Sequence, residues 1–234
     1  MKLYSAWYCP FAQRTWMSLI LKGVKFEYVE TDPYDKTEQW LDTSRQTGMV
    51  PVLSPKKGNT IPGSTRTIEY LELAYPNTPM LYSMDPEEKA EQNFWIDFVG
   101  DHITPYFYRF LKSQQTDDFQ NESKRNLVDG LSTITKAMSD EGPYFNGKAI
   151  SAVDITLFPF AYRIQLLLSY YKNFQLPDQG QIWQRYSLWY NAMLKSPSFQ
   201  KSIDNHQDYD DRLITFYLPY SLGAGQADVT ALPT

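Results

Sequence analysis

A chain of 234 residues is long enough to bury the cores of two compact domains. Its 22 Lys+Arg against 27 Asp+Glu leave a net charge of −5 at pH 7, and with no basic run of the kind that neutralises phosphates, nucleic acid is not an expected partner. No apolar stretch approaches the roughly 18 residues of a membrane span, and Met1-Lys2-Leu3-Tyr4 runs straight into a strand-like pattern with no charged and apolar leader, so a soluble cytoplasmic protein is expected.

Residues 2–7 read as a short strand. Residues 10–22 follow with apolar positions at helical spacing, stopped by Gly23, and Val24 to Glu30 then alternates apolar and charged residues as a half-buried strand does. These three elements make a βαβ unit. Asp35 with Glu38 three positions later resembles a capping box, opening a helix that runs to about Thr47 and stops at Gly48. The strand Met49 to Leu53 is interrupted by Pro51, which cannot donate to a sheet ladder and so belongs at an edge or bulge, a position that admits either a cis or a trans peptide. Lys57-Gly58-Asn59 turns into a short strand at Thr60-Ile61-Pro62. A helix then runs from Thr65 to Tyr75, with Ile68, Leu71 and Tyr75 on one face. The order βαβαββα, with a mixed sheet, matches an α+β thioredoxin-like domain over residues 1–75.

Residues 76–86 form a proline-dense linker that ends on Asp85 as N-cap and Pro86 at the first helical position. The rest, 87–234, reads as an all-α domain with helices at about 104–114, 119–139, 152–170, 180–194 and 197–202. Within it Ser151-Ala152-Val153-Asp154 is a capping box ahead of an apolar run, a folding signal and not a catalytic site. Asp208, Asp210 and Asp211 read as a solvated helix start. His102 and His206 have no ligand-spaced companions, so no metal is expected.

The chemistry concentrates at Cys9, the single cysteine, which sits where the first strand turns into the first helix. The unpaired N–H groups and dipole of a helix N-terminus favour thiolate over thiol, and Pro10 suits the first turn. Ala12 stands where a Cys-x-x-Cys motif would carry its second thiol. A mixed disulfide at Cys9 therefore needs an external thiol to resolve it. By itself the cysteine is equally compatible with a buried apolar thiol.

Four motifs in order carry a family resemblance: Cys9-Pro10-Phe11-Ala12-Gln13-Arg14; Gly48-Met49-Val50-Pro51-Val52-Leu53; Ser64 leading into Ile68-Glu69-Tyr70-Leu71; and Ser151-Ala152-Val153-Asp154. Together they resemble a cytosolic glutathione transferase of the cysteine-type, omega-like group, over nearly the whole chain. The ending Tyr217-Leu218-Pro219-Tyr220 with Gln226-Ala227-Asp228 is similar to the fungal members. The resemblance implies the glutathione transferase fold, with glutathione as co-substrate and the external thiol. It makes Cys9 the catalytic residue, forming a mixed disulfide with glutathione. Val50, before a cis Pro51, is the residue whose backbone pairs with the cysteinyl part of glutathione, Ser64 holds the γ-glutamyl carboxylate, Lys36 lies near the glycyl end and Phe11 packs beside the ligand. Gly63 departs from the family pattern, which has an acidic residue immediately before the serine. Its absence should weaken the γ-glutamyl contact by about 1–3 kcal/mol unless another group supplies it.

An aromatic content of 16% admits ordinary helix packing or an aromatic-lined pocket for a second substrate, with Trp7, Tyr8, Tyr106, Arg109, Trp183 and Phe216 as candidates. The activity implied is glutathione-dependent thiol transfer and reduction, acting on small disulfides, dehydroascorbate or glutathione conjugates. The alternative is a carrier of apolar aromatic ligands with little turnover. A serine-type conjugating enzyme fits less well, because Ser5 lies a turn before the helix. The resemblance also implies a homodimer.

Overall fold

The computed structural model of the protein describes residues 1–114, 118–203 and 208–224. His206 and the Gln226-Ala227-Asp228 segment lie outside the described residues. The chain divides into two compact units: Met1–Tyr82 with the segment carrying α10, and Ser83–Leu194 with the segment carrying α11.

In the first unit the strands β1 (Lys2–Ser5), β2 (Glu27–Glu30), β3 (Val52–Ser54) and β4 (Ile61–Pro62) form one mixed sheet in the order β2-β1-β3-β4. β1 pairs parallel to β2 and antiparallel to β3, with Tyr4 opposite both Val29 and Val52. The period-two alternation divides the core. Leu3 and Leu53 pack with Trp16, Leu19 and Leu71, whereas Ala6 and Val52 pack with Ala12, Trp40 and Val50. The helices α1 (Pro10–Leu21), α2 (Glu38–Thr43) and α3 (Ser64–Ala74) complete the expected βαβαββα order.

Three elements differ most from the sequence expectation in their boundaries. β2 is shorter because the Val24 N–H bonds back to Leu19 O at 3.0 Å, so residues 24–26 close the end of α1 before the strand begins. α2 is capped by Thr37, whose Oγ1 accepts from Trp40 N at 3.2 Å, in place of Asp35. It ends by Ser44, where Arg45 and Gln46 take positive φ. β3 begins after Pro51, so the proline is never asked to donate to the ladder. The Val50-Pro51 bond is cis.

The second unit holds α4 (Pro86–His102), α5 (Thr104–Lys112), α6 (Asp118–Lys136) and α7 (Ala152–Arg163), which continues through a π-helical turn (Ile164–Leu168) into α8 (Ser169–Lys172). α9 (Gln181–Leu194) and α11 (Tyr209–Ser221) complete it. Asp85 caps α4, accepting from the N–H groups of Glu87 and Glu88 at 2.9 and 3.0 Å. α7 is its centre, with every residue from Ala152 to Arg163 buried. Contrary to the sequence expectation that no stretch approaches a membrane span, the run Ala152–Lys172 is long and apolar enough to cross one by length and composition, but 83% of its most apolar 18-residue stretch is buried inside the fold, as befits a core helix.

The capping box at Ser151 forms, and Asp154 does more than cap. Its two oxygens accept from Phe145 N (2.8 Å), Ser151 N and Oγ (both 2.7 Å) and Trp189 Nε1 (2.7 Å), tying the 139–151 segment and α9 to the start of α7. α10 (Pro197–Ile203) belongs to the first unit, where it packs along α1 and Ser202 Oγ accepts from Gln13 Nε2 at 3.0 Å. The sequence division at 76–86 assigns this helix to the other domain.

Candidate active site

The carboxyl end of β1 delivers the chain into a tight turn. The N–H of Cys9 bonds to Ala6 O at 2.9 Å, and Cys9 becomes the N-cap of α1 with extended dihedrals (φ −80°, ψ 118°) and Pro10 in the first turn. The Ala12 N–H reaches Cys9 Sγ at 3.5 Å. A thiolate is the stronger acceptor of such a bond, so the cap geometry favours the nucleophilic form of the sulfur. Cys9 is half-buried and packs against the cluster of Ala6, Ala12, Trp40, Val50 and Val52. The thiol sits at the margin of a core, with an N–H aimed at it.

Glu30, on the edge strand β2, braces the turn before Cys9 by accepting from Trp7 N at 3.3 Å and from Tyr28 Oη at 2.7 Å. Burial first, and then the bond to Glu30, hold the Tyr28 phenol well above its ordinary pKa, so it stays a neutral donor. Trp7 and Tyr8 meet edge to face with ring centroids 5.7 Å apart.

The same buried cluster contains Val50, so Cys9 and the cis-proline loop share one packing environment. Neither the N–H nor the C=O of Val50 takes part in a backbone hydrogen bond among the described residues, which leaves both available to an extended ligand backbone. Pro51 O accepts from Gly63 N at 2.9 Å and so fixes the loop to the amino end of α3. Lys36 Nζ donates to Gly48 O, two residues before Val50.

Gly63 is the N-cap of α3 with φ +93°, a conformation that side chains other than glycine rarely adopt. A Cβ there would lie 2.5 Å from Arg66 Nη1, whose guanidinium donates to Pro62 O at 3.1 Å. The backbone at this position thus suits glycine. No side chain caps α3, and the buried Ser64 begins it. Arg14, 5% exposed on the second turn of α1, donates from Nη1 to Ser64 Oγ at 3.4 Å, and its guanidinium lies 5.0 Å from the centroid of the Phe11 ring. Sequence reasoning quotes Arg14 within a motif and gives it no role. The available signal is its position three residues after Phe11, one turn along the same helix face.

The second-substrate candidates of the helical unit fall on different surfaces. Tyr106 and Arg109 lie on α5, where the Arg109 guanidinium stands 5.9 Å from the Tyr106 ring and 4.6 Å from that of Phe119. Phe216, on α11, packs against Tyr217 and Tyr220 at 5.2 and 6.2 Å, and α11 contacts α5. Trp183 is apart from these, on α9, against Tyr186 at 6.0 Å, and α9 packs on α6 and α7. His102 stacks on Phe98 with centroids 4.5 Å apart.

Comparison with known proteins gives the family. Residues 3–79 match the model of the glutathione S-transferase N-terminal domain, and residues 90–197 that of the C-terminal domain. Glutathione S-transferase omega-1 of Sus scrofa is 30% identical over 200 residues, covering 84% of this chain and 78% of the relative. Glutathione S-transferase DHAR3, chloroplastic, of Arabidopsis thaliana is 34% identical over 170 residues, or 73% of this chain and 60% of that protein's length. Among solved structures, glutathione transferase Omega 3C from Trametes versicolor superposes with a TM-score of 0.79 at 31% identity, over 95% of this chain and 92% of that one. With both domain models matched in order and relatives of the omega group covering most of its length, the chain belongs to the glutathione S-transferase family.

Proposed function

We propose that the protein is a glutathione-dependent thiol transferase and reductase that works through a Cys9–glutathione mixed disulfide. The observation that carries this is Cys9 as N-cap of α1, with the Ala12 N–H directed at Sγ and no second cysteine in the chain. In the first step the Cys9 thiolate attacks the glutathionyl sulfur of a mixed disulfide R–S–SG. The Cys9–SG bond forms, and R–S⁻ leaves with the bonding pair and takes a proton. In the second step a glutathione thiolate attacks Cys9–SG, releasing oxidised glutathione and restoring the Cys9 thiolate. The sum is R–S–SG plus one glutathione giving R–SH and oxidised glutathione, half of which comes from the substrate's own glutathionyl group. Dehydroascorbate carries no such group, so its two-electron reduction consumes two glutathione molecules, oxidised together to the disulfide. The relatives named omega-1 and DHAR3 favour this class of chemistry.

In this account Val50 offers its N–H and C=O to the cysteinyl backbone of glutathione beside Pro51, and Lys36 lies toward the glycyl end. Ser64, Phe11 and the Gly63 turn border the γ-glutamyl end, and Trp7 and Tyr8, in the turn before Cys9, are the first unit's candidates to meet the second substrate. A homodimer in the cytoplasm, as the family resemblance implies, completes the proposal. Reduction of 2-hydroxyethyl disulfide by glutathione is the test. Cys9→Ser, which keeps an N-cap acceptor, should abolish it with the fold intact. Undiminished turnover by that variant would refute the mechanism.

A further inference from the structure

A cavity of about 360 Å³ lies wholly within the helical unit, walled by the π-helical turn, the start of α8, the chain that follows α8, and α9. None of Tyr106, Arg109, Trp183 and Phe216 borders it. Tyr186 forms part of the wall, is 4% exposed, and its hydroxyl meets no hydrogen-bond partner among the described residues. Burial, and then Tyr190, hold that phenol well above its ordinary pKa, so it stays a neutral donor. An unpaired buried hydroxyl costs stability, and the π turn beside it is a second irregularity of a kind concentrated at functional sites. Ile164 and Gln165 of that turn border the cavity. One side of the wall is apolar, from Phe174, Leu176 and Pro177, whereas Gln175, Ser187 and Asp178 add exposed polar groups. Asp178 is the one ionised side chain among the described residues of the wall. Lys124 and Arg125 line an adjoining cavity and do not border this one, and Arg185 is committed to the carbonyls of Ser139, Pro143 and Tyr144.

We propose that this cavity binds a neutral aryl glycoside, an aromatic ring carrying an uncharged sugar, at a site separate from Cys9 and independent of the glutathione reading. The aromatic ring suits the Phe174, Leu176 and Pro177 side, where its burial supplies the affinity. Sugar hydroxyls, each a donor and an acceptor, suit the amides of Gln165 and Gln175, the Ser187 hydroxyl and the Asp178 carboxylate, and a sugar oxygen is the acceptor that the Tyr186 hydroxyl lacks. A wall with one carboxylate and no cation disfavours anions, glutathione and its conjugates among them. A lone exposed carboxylate is also a weak anchor for a cation, so the neutral ligand fits best.

The test titrates phenyl β-glucopyranoside and phenyl β-glucuronide, which differ in one carboxylate on the sugar, into the whole chain by ligand-observed NMR. The glucoside should bind saturably, and the glucuronide at least about tenfold more weakly, since its charge meets Asp178 and no cation. Tyr186→Phe should weaken the glucoside by about three- to tenfold, the loss of one hydrogen bond. The same variant should keep or raise the melting temperature, because the hydroxyl removed bonds nothing among the described residues. Ser187→Trp, at an exposed position on the wall, should abolish glucoside binding and leave 2-hydroxyethyl disulfide reduction at the wild-type rate. Should Ser187→Trp fail to fold, Tyr186→Phe and the pair of glycosides still decide. No saturable glucoside binding, or a glucuronide that binds as tightly, overturns the inference. So does glucoside binding that neither substitution moves, which would put the compound elsewhere on the molecule. A lowered melt of Tyr186→Phe with unchanged glucoside affinity would make the hydroxyl structural, and overturns it equally.

Discussion

Asp154 separates the architecture of the helical unit from its chemistry, because its carboxylate gathers four donors inside a core where it is fully buried. One oxygen holds Phe145 N and Trp189 Nε1, and the other holds the N–H and hydroxyl of Ser151. Asp154→Asn keeps the shape and one acceptor oxygen. The amide NH₂ then faces two of the donors, and although the Ser151 hydroxyl can rotate to accept, one backbone N–H is stranded. Two charge-assisted bonds become neutral as well. With buried unsatisfied donors at about 1–3 kcal/mol each and charge assistance adding about 1 kcal/mol per bond, Asn should cost about 3–5 kcal/mol. Asp154→Ala strands all four donors and should cost at least about 4 kcal/mol, near the upper end for single substitutions and a large part of a typical domain's stability. The assay is urea unfolding followed by far-ultraviolet circular dichroism. For an m-value of about 2–3 kcal/mol per molar urea, the Asn variant should unfold about 1–2 M earlier. Turnover per folded molecule should stay at the wild-type level. A stable Asp154→Ala protein with lost activity would refute the purely architectural role.

Gly63→Ala should lower stability by about 1–2 kcal/mol and the melting temperature by a few degrees, since alanine must adopt φ +93° and displace Arg66 Nη1; an unchanged melt would contradict the strain assigned to a side chain at this position. Glu72→Gln should cost about 3 kcal/mol by urea unfolding, because it leaves the Lys22 ammonium, 0% exposed in its side chain, without its countercharge; a Lys22→Met, Glu72→Met double variant should recover much of that loss, and failure to recover any would assign the cost to the Leu81 contact.

Much of this protein is written locally. Asp85-Pro86 and Ser151 to Asp154 announce their helix starts within four residues, because a cap satisfies backbone groups that lie next to it in sequence. Cys9 is legible for the same reason, since a strand, a proline and an amphipathic run fix it at a helix N-terminus. The cis bond at Pro51 agrees with a proline that interrupts a strand-like run, but the proline alone does not require it, since Pro62 lies in β4 without one. What escapes local reading depends on partners far along the chain. Arg14 meets Ser64 fifty residues later, and Trp189 reaches Asp154 across 35. α10 returns to α1 after the whole helical unit has intervened. Gly63 reads as a lost contact in sequence, whereas the structure gives it a positive φ and a guanidinium in the vacated space. Thr37 displaces Asp35 as the cap of α2 because Asp35 is one of several capping-competent residues in one short loop, and only the path of the chain selects among them.

The central claim is that Cys9 is a monothiol nucleophile toward glutathione disulfides. Intact mass of the protein after incubation with oxidised glutathione tests it most directly. A single adduct of one glutathionyl group, localised to Cys9 by peptide mapping, removed by reduced glutathione and absent in Cys9→Ser, is the predicted result. An unmodified wild-type mass under conditions where the disulfide is in large excess would contradict it.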